Sequence, residues 1–151
     1  MGMTPKELLE RGAAELGKVL EPAGFIFVDG GVESTSYGLA ARGDFLRDGR
    51  QLELHVRASL DVVRYHFDDY VISHEDFVHA VRGTERIAGP SEYPGFSEDP
   101  MTGFRHLRAD LERFGAVFLS GGAKAFRALK KWLDKHPRKS GLAALEQDRS
   151  R

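Results

Sequence analysis

The stretch LAARGDFLRDGRQLELHVRA, residues 39–58, carries the strongest structural signal in the chain. Asp48-Gly49 is a type I′ hairpin dipeptide set between two alternating segments. A turn there pairs positions whose numbers sum to 97, so Phe45 faces Leu52, Gly43 faces Leu54, Ala41 faces Val56 and Leu39 faces Ala58. The opposite side collects Asp44 with Glu53, Arg42 with His55, and Ala40 with Arg57. A slip of one residue would exchange the two faces, so the alternation specifies the register.

The pattern extends in both directions. Residues 62–67 place Val63, Tyr65 and Phe67 on the apolar side and Arg64 and His66 on the polar side, with either of two registers keeping that parity. Before the hairpin, Phe25 to Val28 is a short β-rich run ended by Asp29-Gly30-Gly31. The expectation is a four-stranded antiparallel meander with one apolar and one polar face.

Helices flank the meander. Thr4-Pro5-Lys6-Glu7 reads as an N-cap, a first-turn proline and a capping box. Leu9, Ala13, Leu16 and Leu20 follow at helical spacing, which predicts a helix over 4–21 that stops before Pro22. Ser73 caps a second helix of about nine residues with Phe77, Val78 and Val81 inward. Residues 83–103 hold three Pro and four Gly without periodicity, a long connection of the kind that is functional or disordered. Phe104, Leu107, Leu111 and Phe114 mark a third helix ending at Gly115. After a short apolar run at 116–119, Ser120 caps a fourth, with Phe126, Leu129, Trp132 and Leu133 inward. The class is therefore α+β, with three C-terminal helices packed on the apolar sheet face. Residues 1–137 read as a single domain and 138–151 as a polar tail.

Composition narrows the function classes. The 151 residues contain no cysteine, which excludes disulfides and thiolate chemistry and suits a reducing cytosol. No apolar run reaches the ~18 residues of a membrane span. A net charge of −1 argues against nucleic-acid binding, although residues 124–139 carry seven basic side chains against one acid. His74 and His79 are five apart, ~140° round a helix, so they cannot grip one metal, and neither metal nor cofactor is expected. Asp68-Asp69 reads as a turn, and no hydrolase elbow or Walker A spacing is present. Ser120-Gly121-Gly122 opens a helix but needs no anion to explain it.

The candidate ligand-binding residues are Arg42, Glu53, His55, Arg57, Arg64 and His66, projecting from the polar sheet face near a loop that carries Tyr93 and Phe96. Three arginines against Glu53 and Asp44 predict a residual positive charge there. An ordinary solvated face laced by ion pairs is the competing interpretation.

Leu20-Glu21-Pro22-Ala23-Gly24-Phe25 after an amphipathic helix resembles the opening of several bacterial protein families of unknown function. Leu52-Glu53-Leu54-His55, Asp110-Leu111 and Phe118-Leu119-Ser120-Gly121 are similar too, so the resemblance spans roughly 8–135. It implies a bacterial origin, an α+β fold and, for some such proteins, an immunity-like role of neutralising a partner toxin; it carries over no catalytic residue. The expected function is non-catalytic, cytosolic protein binding, with a homodimer also open. The alternative is a small-anion or ligand-binding protein, or an enzyme, using the basic sheet face under loop 83–103.

Overall fold

A computed structural model describes residues 2–95 and 97–138. Helix α1 (Pro5–Leu20) leads into five strands: β1 (Ile26–Thr35), β2 (Gly38–Arg47), β3 (Arg50–Val56), β4 (Leu60–Phe67) and β5 (Tyr70–Ser73). Helices α2 (His74–Glu85), α3 (Thr102–Phe114), α4 (Ala116–Leu119) and α5 (Ala123–Lys135) follow. The strands form one antiparallel sheet in the order β1-β2-β3-β4-β5. The α+β meander is present, with five strands where the sequence suggested four.

The central hairpin keeps the register summing to 97, from Ala41–Val56 through Phe45–Leu52 to Arg47–Arg50. Its turn differs from expectation. Only Gly49 has a positive φ, 71°, so Asp48 does not adopt the left-handed backbone a type I′ turn demands. Register therefore follows the buried alternation of Ala41, Phe45, Leu52, Leu54 and Val56 more than the turn chemistry. The ladder also stops at Ala41–Val56, so the outer pairs Leu39–Ala58 and Ala40–Arg57 do not form; Leu39 and Ala40 pair instead with Ser34 and Glu33.

Two strand boundaries move. Asp29-Gly30-Gly31 does not end β1 but kinks it: the register shifts between Asp29 and Val32, and the strand resumes to Thr35. Asp68-Asp69 is a two-residue hairpin turn, Asp68 at φ 53°, which returns the chain as β5. Tyr70-Val71-Ile72 supplies the β-branched and aromatic signal, and Ile72 points into the core. Between β3 and β4 the pairing is Leu52–Tyr65 and Leu54–Val63.

The large buried apolar side chains lie on one side of the sheet. Leu8, Leu9, Leu16 and Leu20 of α1 pack over β1–β3, while Phe77 of α2 stacks on Tyr65 at 4.2 Å. Phe118 of α4 stacks on Phe25 at 5.0 Å, and Phe126 of α5 on Phe67 at 4.9 Å. Gly12 permits the approach of α3, since a Cβ there would lie 2.2 Å from the Phe104 ring. Thr4 caps α1 as expected, and Ser73 caps α2. Residues 116–119 form one helical turn, and Ser120 donates back to the Ala116 carbonyl; the N-cap of α5 is Gly122, with no side-chain cap. Arg47 donates to the carbonyls of Ala23 and Leu119, and Arg50 to those of Phe118 and Gly121, pinning the α4–α5 link to the sheet.

Among the described residues no helix is long and apolar enough to cross a membrane. The polar tail expected at 138–151 lies outside the described residues apart from Arg138, which pairs with Asp76 of α2 at 3.0 Å. Leu54→Ala is expected to cost ~2–5 kcal/mol in urea unfolding, because Leu54 is fully buried between Gly43 and Val63. A loss below about 1 kcal/mol would show that the sheet core is not close-packed.

Candidate functional site

The face of the sheet turned away from the helices is built by the same alternation that fills the core. Cross-strand rows run Ile26–Leu46–Gln51–His66–Val71 and Val28–Asp44–Glu53–Arg64–Ser73, with Arg42–His55–Val62 beyond them. Two carboxylates, Asp44 and Glu53, thus sit directly opposite each other, an arrangement unfavourable without compensation.

Compensation comes from a ring of donors. Glu53 is only 5% exposed. Its Oε2 accepts from His55 Nε2 at 2.5 Å and from Arg64 Nη1 at 3.3 Å, and its Oε1 from His66 Nε2 at 2.7 Å. Asp44 accepts from Gln51 at 2.7 Å and lies 3.7 Å from the Arg42 guanidinium. Burial alone would raise the Glu53 carboxyl; hydrogen bonds from His55 and His66, with the charges of His55 and Arg42, outweigh it and hold the group below its ordinary value.

Of the six residues the sequence singles out, Glu53, His55, Arg64 and His66 are brought into contact, and Arg42 stands beside them on β2. Arg57 is not. It lies past the end of β3, pairs with Asp61 at 3.0 Å and rests over the Tyr37 ring. With Asp61 taking Arg57, the excess positive charge counted from sequence is matched.

Nor is the face wholly polar. Ile26, Val28 and Leu46 toward one edge and Val71 at the other are exposed apolar side chains. Ile26, Val28 and Val71 arise where β1 and β5 extend the sheet, whereas Leu46 follows from the parity of β2, opposite Gln51.

The long connection contributes elsewhere. Its hydrogen bonds run to the helical side: Ser91 Oγ and the backbone N–H groups of Glu92 and Tyr93 all donate to Asp110 of α3, and the Tyr93 hydroxyl donates to the Leu60 carbonyl. Tyr93 packs against His74, behind the sheet; Phe96 lies outside the described residues.

His74, expected on a surface helix, is buried. Its Nε2–H donates to Asp110 Oδ2 at 2.8 Å and its Nδ1 faces the Tyr65 hydroxyl at 2.7 Å. The neutral tautomer satisfies every partner, with Tyr65 donating to Nδ1. Burial raises the Tyr65 and Tyr93 hydroxyls, which keeps both as neutral donors. Burial would also raise Asp110, but donors from His74, Glu92, Ser91 and Tyr93 outweigh it and lower the carboxyl. A histidine braced by a carboxylate has the form of a general base, yet Tyr65, His74 and Asp110 are each no more than 2% exposed, so no substrate reaches it. The triad is a structural tie between α2, α3, β4 and the connection. An aspartate on the inward stripe Phe104-Leu107-Asp110-Leu111-Phe114 was the signal for it. His79 turns instead to α5, donating to the His136 carbonyl.

Among the described residues no group of three or more His, Asp or Glu side chains is placed to hold a metal ion. His55 and His66 reach different oxygens of Glu53 from opposite sides, with Arg64 beside them.

No protein family matches the chain, and neither a curated protein nor a solved structure does.

Both lowered carboxyls carry a pH dependence. Their stabilisation is complete above the unfolded value of about 4 and disappears as pH falls through the lower folded values. Asp110→Asn should therefore cost roughly 3 kcal/mol near neutral pH, with the deficit shrinking below about pH 4 as wild type loses the same interaction. Denaturation series from pH 3 to pH 7 would show it, and a deficit constant across that range would mean that folding leaves the Asp110 carboxyl unshifted.

Proposed function

We propose that this protein is a non-catalytic binding protein that docks a protein partner on the outer face of its sheet. The observation that carries this reading is the composition of that face: five strands left uncovered among the described residues, with exposed Ile26, Val28, Leu46 and Val71 flanking a hydrogen-bonded charge cluster centred on Glu53. Exposed apolar side chains gathered on one sheet face beside polar groups mark a protein interaction surface.

The concave features favour the same reading over a small-ligand site or an enzyme. The hollow beside Arg42 and His55 holds only about 190 Å³, below the ~300–1,000 Å³ of typical ligand pockets. The larger trough of about 650 Å³ along Ile26, Val28, Leu46 and His66 lies open on the surface, where it suits partner side chains. Glu53, His55 and His66 are the side chains best fitted to acid–base work, and they engage one another. The lack of cysteine suits a cytosolic setting, and an immunity-like role is one form that such docking takes.

A photo-crosslinking residue placed at Ile26 or Arg64, expressed in the source cells, is expected to give one adduct of defined mass. The same probe at Lys131 on α5 should not. Adducts of equal yield at all three positions, or none at Ile26 and Arg64, would overturn the proposal. So would native mass spectrometry showing a small ligand retained by wild type and lost in Arg64→Ala.

A further inference from the structure

The charges of the outer face are layered by depth. The carboxylates lie low, with Asp44 and Glu53 side chains 13% and 6% exposed. The arginine and histidine side chains lie above them: Arg42 and Arg64 are 48% and 50% exposed, His55 and His66 29% and 22%. A partner approaching from solvent therefore meets guanidinium N–H groups and imidazole rings before it meets either acid, although formal charges on the arginines and acids balance.

Those donors are also underused. Of the five N–H groups on the Arg64 guanidinium, the bond to Glu53 engages one, and Arg42 approaches Asp44 only at 3.7 Å. Guanidinium groups receive carboxylates with two parallel hydrogen bonds, so each arginine retains the capacity to take an incoming acid.

We infer that the outer face receives an acidic segment of a partner protein, its carboxylates taken by Arg42 and Arg64 with His55 and His66 beside them, and its apolar side chains seated on Ile26, Val28 and Leu46. This rests on the partner-docking reading and names the chemistry of that partner. The basic side of α5, which exposes Lys124, Arg127, Lys130 and Lys131, is the competing surface for acids. It differs in having no exposed apolar row beside it: its hydrophobic stripe, Phe126, Leu129 and Trp132, is turned into the protein.

The test is an NMR titration of the isotopically labelled full chain with a short polyglutamate peptide, with polylysine and single-stranded DNA as controls. Polyglutamate should shift amides around residues 42, 55, 64 and 66, and its affinity should fall as salt is added. Arg42→Ala with Arg64→Ala should weaken binding about tenfold with only a small fall in melting temperature, since both side chains are half exposed and His55, His66 and Gln51 still serve the two acids. Glu53→Gln removes the buried competitor and should tighten binding about fivefold; a merely structural role for Glu53 would instead weaken it. Shifts confined to α5, affinity unchanged in the double-arginine variant, or DNA bound more tightly than polyglutamate on this face would each overturn the inference. If polyglutamate fails while crosslinking at Ile26 or Arg64 still captures a partner, acid recognition is wrong and docking stands.

Discussion

The pairing of Phe45 with Leu52 and of Gly43 with Leu54 is the constraint on which the molecule depends. Because side chains alternate along a strand, that register sends every odd-numbered residue of β2 from Ala41 to Phe45 toward the helices and every even-numbered one outward. The same step that buries Leu54 and Val56 presents His55, and the step that buries Tyr65 presents Arg64 and His66. Core and candidate site are two consequences of one parity. Shifting it would bury Arg64 and the two imidazoles and expose a row of core side chains.

Asp110 performs the corresponding task for the second half of the chain. Among the described residues the connection from 86 to 101 has no helix or strand, so its backbone polar groups need partners that a ladder would otherwise supply. One carboxylate receives the Ser91 hydroxyl and the N–H groups of Glu92 and Tyr93, while His74 ties it to α2 and, through Tyr65, to the sheet. A segment rich in proline and glycine is held without a core of its own. The described part of the long connection thus packs behind the sheet, and not over the basic face as the alternative reading had it.

What was legible follows from how local each signal is. The parity of residues 41–56, the Thr4 cap and the helical stripes of α1, α3 and α5 depend on neighbours within a turn or a hairpin. β5 was equally local, Asp68-Asp69 followed by Tyr70-Val71-Ile72, but a four-residue strand next to a strong helix cap is easily absorbed into the loop before it. The contact of Glu53 with His55, Arg64 and His66 was implied by the hairpin. The burial of His74 was not, because its partners lie nine residues before it and 36 after it. Arg57 was misplaced for a similar reason: the ladder ends one residue earlier, and Asp61, across the β3–β4 turn, competes for it.

The two polar clusters described above differ in how completely their capacity is used, and the docking proposal rests on that difference. Behind the sheet, Asp110 accepts four hydrogen bonds, His74 uses both ring nitrogens, and Tyr65 spends its single donor. A network closed in this way rigidifies the fold and has nothing left to offer a ligand. On the outer face Glu53 is equally well served, but its donors are not exhausted: most of the Arg64 fork is unengaged by it, and Arg42 stands at ion-pair distance only. Isolated exposed ion pairs contribute ~0–1 kcal/mol to stability, so folding alone gives little reason to hold arginines over sunken acids. Rigid strands that fix the bases of these side chains while leaving their tips in water lower the entropy lost when an incoming group is bound. A surface that is ordered beneath and unsatisfied above is suited to recognition, whereas the buried His74–Asp110 pair, for all its resemblance to a catalytic dyad, is suited to holding the protein together.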